Sequence, residues 1–456
     1  MSAELRAALT AELGAGVVVT DADVLATNAR DEAHFCPAGV PAALVRARST
    51  ADVVATLRIA GRYGVPVVPQ GARTGLSGGA NAVDGCILLS LTRMARIVEV
   101  DAGERIAVVQ PGVVNAELSR VVAEQGLFYA PDPASWESST IGGNVATNAG
   151  GLCCVKYGVT GDKVRALEVV LADGSVLRTG RRTAKGVAGY DLTHLFVGSE
   201  GTLGVITEIT VALDPAPAPA LTAAATFSDV ADACHVVDAY MAAGARPSLL
   251  ELMDGPTIAV VSAYRDLGFP AGTGALLLVS SDDPDRAAAD LAAFAEVCAR
   301  YDATEVVVAE DAAEADLLIE ARRLVGPAHE PLGASLVDDV CVPRRALARF
   351  VQGVAAIGAR HDVLVTCAGH AGDGNMHPGV VFDPADPAAA ARAQQAFEEI
   401  MGLGLELGGT ITGEHGIGTL KASWLARELG PVSLAAHRRI KDAFDPDGLL
   451  NPGKVL

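Results

Sequence analysis

Residues 68–79 read Val68-Pro-Gln-Gly-Ala-Arg-Thr-Gly-Leu-Ser-Gly-Gly79 and follow the short β-rich run Val65-Pro-Val-Val68. Gly71, Gly75, Gly78 and Gly79 share one loop. Without Cβ atoms, successive backbone N–H groups can converge on an anion there, and a diphosphate is the natural guest. The loop lacks both the G-x-G-x-x-G spacing that opens a dinucleotide-binding helix and the lysine of a P-loop, so it supports neither nicotinamide nor P-loop ATP binding. Read alone, it can also be a plain glycine-rich turn.

Two further clusters extend the pattern. Pro131-Asp-Pro133 leads into Ser138-Ser-Thr-Ile-Gly-Gly-Asn-Val-Ala-Thr-Asn-Ala-Gly-Gly151, with Lys156-Tyr-Gly158 close behind. Gly198-Ser-Glu-Gly-Thr-Leu-Gly-Val-Ile206 then runs into an apolar strand. Clusters so separated within one domain suit an extended, two-ended ligand with a central diphosphate.

Around them the chain alternates helix and strand patterns. Residues 51–63 and 114–125 read as helices, 86–90, 106–110 and 167–171 as strands, and Ala172-Asp-Gly-Ser175 as a hairpin turn. Asp214-Pro-Ala-Pro-Ala-Pro-Ala220 reads as a stiff extended linker. Beyond it, strands at 222–227, 248–253, 275–280 and 305–309 alternate with helices at 229–243 and 284–300. That rhythm predicts one sheet with helices on a single face, an α+β cap. A strand at 363–367, a long helix at 387–407 and two compact helical segments complete the chain. The expected division is a first domain over 1–213, the linker over 214–220, a cap over 221–410 and a C-terminal segment over 411–456 that completes the active site.

The chain has 456 residues, half of them apolar and a fifth charged, the balance of a sequence that buries a large core. Its net charge of −20 and the absence of any basic run longer than a pair, such as Arg181-Arg182, disfavour nucleic-acid binding. Neither a secretory leader nor an apolar run near the roughly 20 residues of a membrane helix is visible, so a cytoplasmic protein is expected, at most peripheral to a membrane. The eight cysteines show no C-x-x-C spacing, which argues against zinc ribbons and iron–sulfur clusters and for buried thiols.

The chemistry concentrates near the C-terminus. His370 and His377 lie in Gly369-His-Ala-Gly-Asp-Gly-Asn-Met-His377, and Glu414-His415 lies in Gly413-Glu-His-Gly-Ile-Gly418. Two imidazoles converging across a turn, with one carboxylate, would leave open positions on a divalent metal, as a catalytic site requires. His34, His194, His235, His361 and His437 are read as structural, and His329 is left undecided.

These motifs together resemble the vanillyl-alcohol oxidase (PCMH) type of FAD-binding domain followed by an FAD-linked oxidase C-terminal domain. The chain from about Arg46 to Leu456 is similar to the FAD-linked D-2-hydroxyacid dehydrogenases, the group of glycolate oxidase catalytic subunits and of D-lactate and D-2-hydroxyglutarate dehydrogenases. The implied fold class is α+β, a PCMH-type domain plus an α+β cap with an antiparallel sheet. By resemblance, FAD would be held in the first loop by Pro69, Gly71, Ala72, Arg73, Thr74, Gly75, Ser77, Gly78 and Gly79. Pro131, Asp132, Thr140, Gly142, Gly143, Asn144, Ala146, Thr147, Asn148, Gly150, Gly151, Tyr157 and Gly158 would follow from the second cluster. Glu200, Gly201, Gly204, Ile206 and Asn451 complete the set. Relatives that bind FAD covalently carry a histidine beside the first loop. Ser77-Gly-Gly-Ala80 has none, which implies non-covalent FAD.

The resemblance also implies that His370, His377 and Glu414 hold a divalent metal, zinc or similar, that His415 is the general base, and that Arg322 binds the substrate carboxylate, with Arg323 its rival. Two departures bear on substrate size. Val337 stands where D-2-hydroxyglutarate enzymes place a lysine, and Gly379 where they place an asparagine. Both favour a small monocarboxylate, D-lactate or glycolate, over D-2-hydroxyglutarate. Electrons would pass to an external acceptor, such as a quinone, an electron-transfer flavoprotein, a cytochrome or a partner subunit, and the chain is compatible with a homodimer. A flavin subunit that only relays electrons and a metal-dependent hydrolase are the competing readings.

Overall fold

A computed structural model describes residues 2–456. The chain divides into two compact units, the first built from residues up to Gly150, Gly158–Ala216 and Glu414–Leu456, the second from Gly151–Tyr157 and Pro217–Gly413. Residues 151–157 thus leave the first unit, where the sequence reading put them. The reason lies in the side chains, because Lys156 and Tyr157 both bond Asp282 of the second unit.

The first unit carries two sheets. In the four-stranded one, Ala43–Arg46 and Val67–Gln70 flank Ile87–Ser90 in parallel and Val18–Val19 adds an antiparallel edge. A right-sized crossover joins the two parallel flanks: the helix Thr50–Tyr63 starts where Ser49 accepts the Asp52 N–H, buries Val53, Leu57 and Ala60, and stops at left-handed Gly64. The five-stranded sheet is antiparallel, in the order Ile97–Asp101, Ile106–Val109, Val205–Ala212, Val164–Val170, Val176–Gly180, and its last two strands form the hairpin expected around 172–175. The expected pair of C-terminal helical segments is also present. Ala422–Phe444 breaks at Gly430, whose φ of 71° and ψ of 171° are non-helical, just before Pro431.

The second unit is built on an antiparallel sheet ordered Glu305–Val308, Leu221–Phe227, Ala275–Ser281, Leu249–Asp254, Leu364–His370, Asn375–Phe382, Ala334–Val337. Helices on a single face were expected, and the structure corrects this. Every residue of Ala275–Ser281 is buried, so both faces are covered. Leu276 and Leu278 pack with Ile258 and Val261 of the helix Gly255–Tyr264 and with Ala321 of the helix Ala312–Arg323. Helix Ala287–Arg300 packs on the same strand from the alternate side, where Leu277 and Val279 point. Among the described residues all eight cysteines are free thiols and five are buried.

Candidate functional site

Within the first unit the three glycine clusters meet. The first loop reaches the second at Gly71, where a Cβ would come within 2.5 Å of Thr140 Oγ1 and force that side chain to shift. The second and third are joined through the backbone: Gly198 N–H donates to Val145 O at 2.9 Å and Glu200 N–H to Ala146 O at 2.8 Å. Asn451 closes the ring, its Nδ2 donating to Gly79 O at 2.9 Å and to Glu200 O at 2.8 Å. Thr140 caps the short helix Ile141–Thr147, which carries Gly142, Gly143, Asn144 and Ala146 and ends at left-handed Asn148.

Around these clusters several buried polar atoms have no hydrogen-bond partner among the described residues: Gln70 Oε1, Ser139 Oγ, Asn144 Nδ2 and Asn451 Oδ1. Buried polar groups are nearly always satisfied, so a cluster of such atoms between glycine loops fits a large polar ligand. The residues therefore suit a diphosphate-centred cofactor such as FAD. The structure also places individual residues. Ala80 N–H donates to Asp31 Oδ2 at 3.3 Å, so the far end of the first loop is tied to a carboxylate. Arg73 Nη1 donates to the Asn28 carbonyl oxygen of its side chain at 2.5 Å. Pro131 O accepts from Asn115 Nδ2 at 2.9 Å. Gly204 packs on Val169 of the neighbouring strand and Ile206 is core. Tyr157, expected at the cofactor, spends its hydroxyl on Asp282 in the second unit.

Glu200 links the cluster to the segment that follows His415. It is 7% exposed, and its carboxylate accepts Ile417 N–H at 2.7 Å and Gly418 N–H at 2.8 Å. Burial pushes its pKa up to about 7, although those two backbone N–H groups pull it down. Ser77 of the first loop holds the same segment, its Oγ donating to His415 O at 3.1 Å and its carbonyl accepting Thr419 N–H at 2.9 Å. The segment carrying the expected base is thus anchored by the first glycine loop.

The second unit holds the remaining chemistry on one sheet face. His370 lies directly opposite Asn375, and His377 opposite Ala368, so the two imidazoles are diagonal neighbours with ring centroids 5.0 Å apart. The register Leu252↔Gly369 carries on to set Glu251 across from His370. Glu251 is 1% exposed; its Oε1 is 2.7 Å from His370 Nδ1 and its Oε2 accepts from Arg322 Nε at 2.7 Å. Burial would raise the Glu251 pKa, but His370 and Arg322 outweigh it and hold the carboxyl below its ordinary value. Arg322 reaches in from the helix Ala312–Arg323, while Arg323 points to Asp316 at 3.5 Å on an exposed flank. Asp339 stands 3.8 Å from His377 Nδ1 and accepts Thr412 Oγ1–H at 2.7 Å and Gly413 N–H at 2.9 Å. His329, left undecided, is a buried core histidine bonded to Val325 O and Thr366 Oγ1.

Sequence reading missed Glu251 and Asp339. A signal for Glu251 exists: Leu249, Glu251 and Met253 share a strand face whose outer two are apolar, so the acid between them is buried. Asp339 lies in Leu336-Val-Asp-Asp-Val-Cys-Val-Pro343, where no histidine or glycine marks it.

Residues 41–180 match the family described as "FAD binding domain", and residues 216–455 match "FAD linked oxidases, C-terminal domain". The chain is 42% identical over 419 residues to the glycolate oxidase subunit GlcD of Bacillus subtilis (strain 168), covering 91% of this chain and 89% of that protein. It is 37% identical over 430 residues to a D-lactate dehydrogenase of Anaerostipes hadrus, covering 91% and 89%. A solved structure of p-cresol methylhydroxylase with substrate bound superposes with a TM-score of 0.84 at 19% identity, over 99% of this chain and 96% of that one. The fold is the α+β, vanillyl-alcohol oxidase type expected. With one family match spanning more than half its length and the other covering the first two glycine clusters, the chain belongs to the FAD-linked oxidases and is an FAD-linked oxidoreductase.

Proposed function

We propose that the protein oxidises a small D-2-hydroxy acid, D-lactate or glycolate, to the 2-keto acid with metal assistance. The observation that carries this reading is the buried row Arg322–Glu251–His370 beside His377, a cation and two imidazoles gathered on one sheet face. It is supported by the named activities of the glycolate oxidase subunit and D-lactate dehydrogenase relatives.

FAD would lie on the glycine clusters around Gly71, Thr140, Asn144 and Glu200 and, when bound, supplies a hydride acceptor. A divalent ion would take His370, His377 and Glu414 and would lower the pKa of a substrate hydroxyl. Because His370 Nδ1 is committed to Glu251, such an ion would be taken at Nε2, which fits a ligand set of two imidazoles and a carboxylate. The chain's own residues do the rest. Arg322 uses Nε on Glu251, and its two terminal nitrogens, without partners among the described residues, form a planar fork for the substrate carboxylate. His415 takes the hydroxyl proton near neutral pH.

Small substrates are favoured by Val337 and Gly379, which are paired directly across neighbouring strands. A Cβ at 379 would sit 3.0 Å from Thr366 Oγ1 and 3.3 Å from Ser335 Oγ, so the space is already taken. Electrons leave to an external acceptor.

The test is anaerobic addition of D-lactate, L-lactate, glycolate and D-2-hydroxyglutarate to the purified yellow protein, with and without a chelator. Bleaching of the flavin by D-lactate or glycolate, lost on chelation, is the expected result. A flavin that none of these acids bleaches would refute the substrate class, and bleaching that survives complete metal removal would refute the metal's role.

A further inference from the structure

Glu251 is a buried carboxyl group that bridges two partners of different function. It is 1% exposed, it belongs to neither the glycine clusters nor the histidine motif, and its two oxygens are divided between two different groups, Arg322 and His370. Isolated buried carboxylates are costly, and a carboxylate satisfied by two groups of different function constrains both at once. An ionised carboxylate only accepts hydrogen bonds. The proton of His370 must therefore sit on Nδ1, which fixes the ring's tautomer and leaves Nε2 as its lone-pair nitrogen. Likewise, a bond to Nε of Arg322 fixes the plane of the guanidinium, so that its terminal fork points away from Glu251.

We propose that Glu251 is a positioning residue that spaces the carboxylate-binding fork of Arg322 from the metal-binding face of His370, and so sets the site to recognise a hydroxyl and a carboxylate carried on the same carbon. This rests on the function proposed above. A 2-hydroxy acid carries both groups on its C2 carbon. Two protein groups held by the opposite oxygens of one carboxylate cannot drift relative to each other as they could if each were anchored separately. Glu251 thereby acts as a gauge: a 3-hydroxy acid, with one more methylene between its groups, meets the same two anchors out of step.

The experiment uses the FAD-loaded protein and three variants: Glu251→Gln, Arg322→Met and the two combined. Zn²⁺ affinity is measured by competition with a chromophoric chelator, independently of turnover, and kcat and KM are measured for D-lactate. A glutamine of the same shape offers an acceptor to one partner only and presents an NH₂ group to the other. Expected for Glu251→Gln are a Zn²⁺ affinity weaker by roughly 10–100-fold and a KM raised at least about tenfold, with flavin content unchanged. Arg322→Met should raise KM to a similar degree while Zn²⁺ affinity stays within about threefold. The combined variant should keep the zinc defect of Glu251→Gln but show no larger KM than Arg322→Met alone. Glu251→Gln should also narrow the preference for D-lactate over 3-hydroxybutyrate.

A folded, flavin-loaded Glu251→Gln protein with wild-type Zn²⁺ affinity, or KM defects that multiply in the combined variant, would overturn the proposal. If Glu251→Gln does not fold, the wild type decides by its imidazole proton resonances. A downfield, exchange-protected His370 Nδ1 proton that persists in the zinc-loaded protein supports the assignment, and its absence overturns it. Should the wild type neither bind Zn²⁺ nor be reduced by any hydroxy acid, the function proposed above fails and takes this inference with it. A wild type that does both, beside an unaffected Glu251→Gln, sinks the role of Glu251 alone.

Discussion

Raising the pH from 5 to 8 should weaken the first unit by an amount traceable to Glu200. This carboxyl titrates at about 7 in the folded protein against 4.5 for an ordinary glutamate. The folded state therefore keeps a proton that the unfolded chain releases earlier, and between those two values it binds more protons. Stability falls with rising pH wherever the folded state holds the excess. The loss begins near pH 4.5, is complete near pH 7 and stays constant above it. At about 1.4 kcal/mol per pKa unit, the 2.5-unit interval amounts to about 3 kcal/mol. Glu200→Gln cannot titrate, so the difference between wild type and variant isolates this group from every other ionisation. Trp136 and Trp424 both lie in the first unit, which makes tryptophan fluorescence during urea unfolding the appropriate probe. Wild type minus variant should drop by about 3 kcal/mol from pH 4.5 to 7.5. A difference that stays flat to within about 1 kcal/mol would show that the buried carboxylate is already ionised at pH 5, its charge carried by the N–H groups of Ile417 and Gly418 and by Lys454, and the reasoning from burial would be wrong.

Gly142→Ala would place a Cβ 2.4 Å from Pro111 Cβ and 2.8 Å from its carbonyl oxygen, and since that is backbone and ring rather than a yielding side-chain tip, the helix Ile141–Thr147 must shift; flavin content on purification should fall, with about 1–3 kcal/mol lost in stability. At Gly150 the new Cβ meets Glu414, 2.2 Å from Oε2 and 3.3 Å from Cβ, so Gly150→Ala should lower zinc content measured by elemental analysis. Asn451→Ala removes the donor shared by Gly79 O and Glu200 O; about 1–3 kcal/mol of stability should go with it, and flavin should dissociate faster in a dilution assay. His415→Ala should abolish reduction of the flavin by D-lactate in stopped flow yet leave its visible spectrum intact, and turnover near the wild-type rate would remove His415 from the role of base.

Much of the fold could be read before any coordinates because its elements carry their own punctuation. The helix Thr50–Tyr63 has Ser49 in front and Gly64 behind, and the hairpin after Val164–Val170 has Asp-Gly at its turn. Other elements were passed over for identifiable reasons. The helix Gly255–Tyr264 is apolar on nearly every side, so it shows no 3.6-residue period, and Gly255-Pro256 imitates a turn although Asp254 caps it and Pro256 sits in the first turn, where proline is tolerated. The helix Leu347–His361 was readable: Leu347, Phe350, Val351, Val354 and Ile357 follow the spacing of one buried stripe. The single-faced cap failed because strands such as Ala275–Ser281 open on an unbroken apolar run, Ala275 to Val279, a pattern that belongs to a sheet covered on both sides.

The same contrast governs the site. Glycine clusters and histidine motifs announce themselves because their residues are unusual where they stand, and each is local in sequence. What holds them in working order is not local. Glu251 reaches a histidine 119 positions away and an arginine 71 away, and Asn451 braces Gly79 across 372. Each of these is an ordinary residue at its own place in the chain, made consequential only by the pairing of strands or the return of the C-terminus. For Glu251 the register does the work: once Leu252 pairs with Gly369, the acid and His370 must face each other, and here the contact falls on Nδ1, 2.7 Å from Oε1. The orientation of the histidine motif is therefore set by a strand that contains no histidine, and its disruption should be sought in substitutions of the Leu249–Asp254 strand as much as in the motif itself.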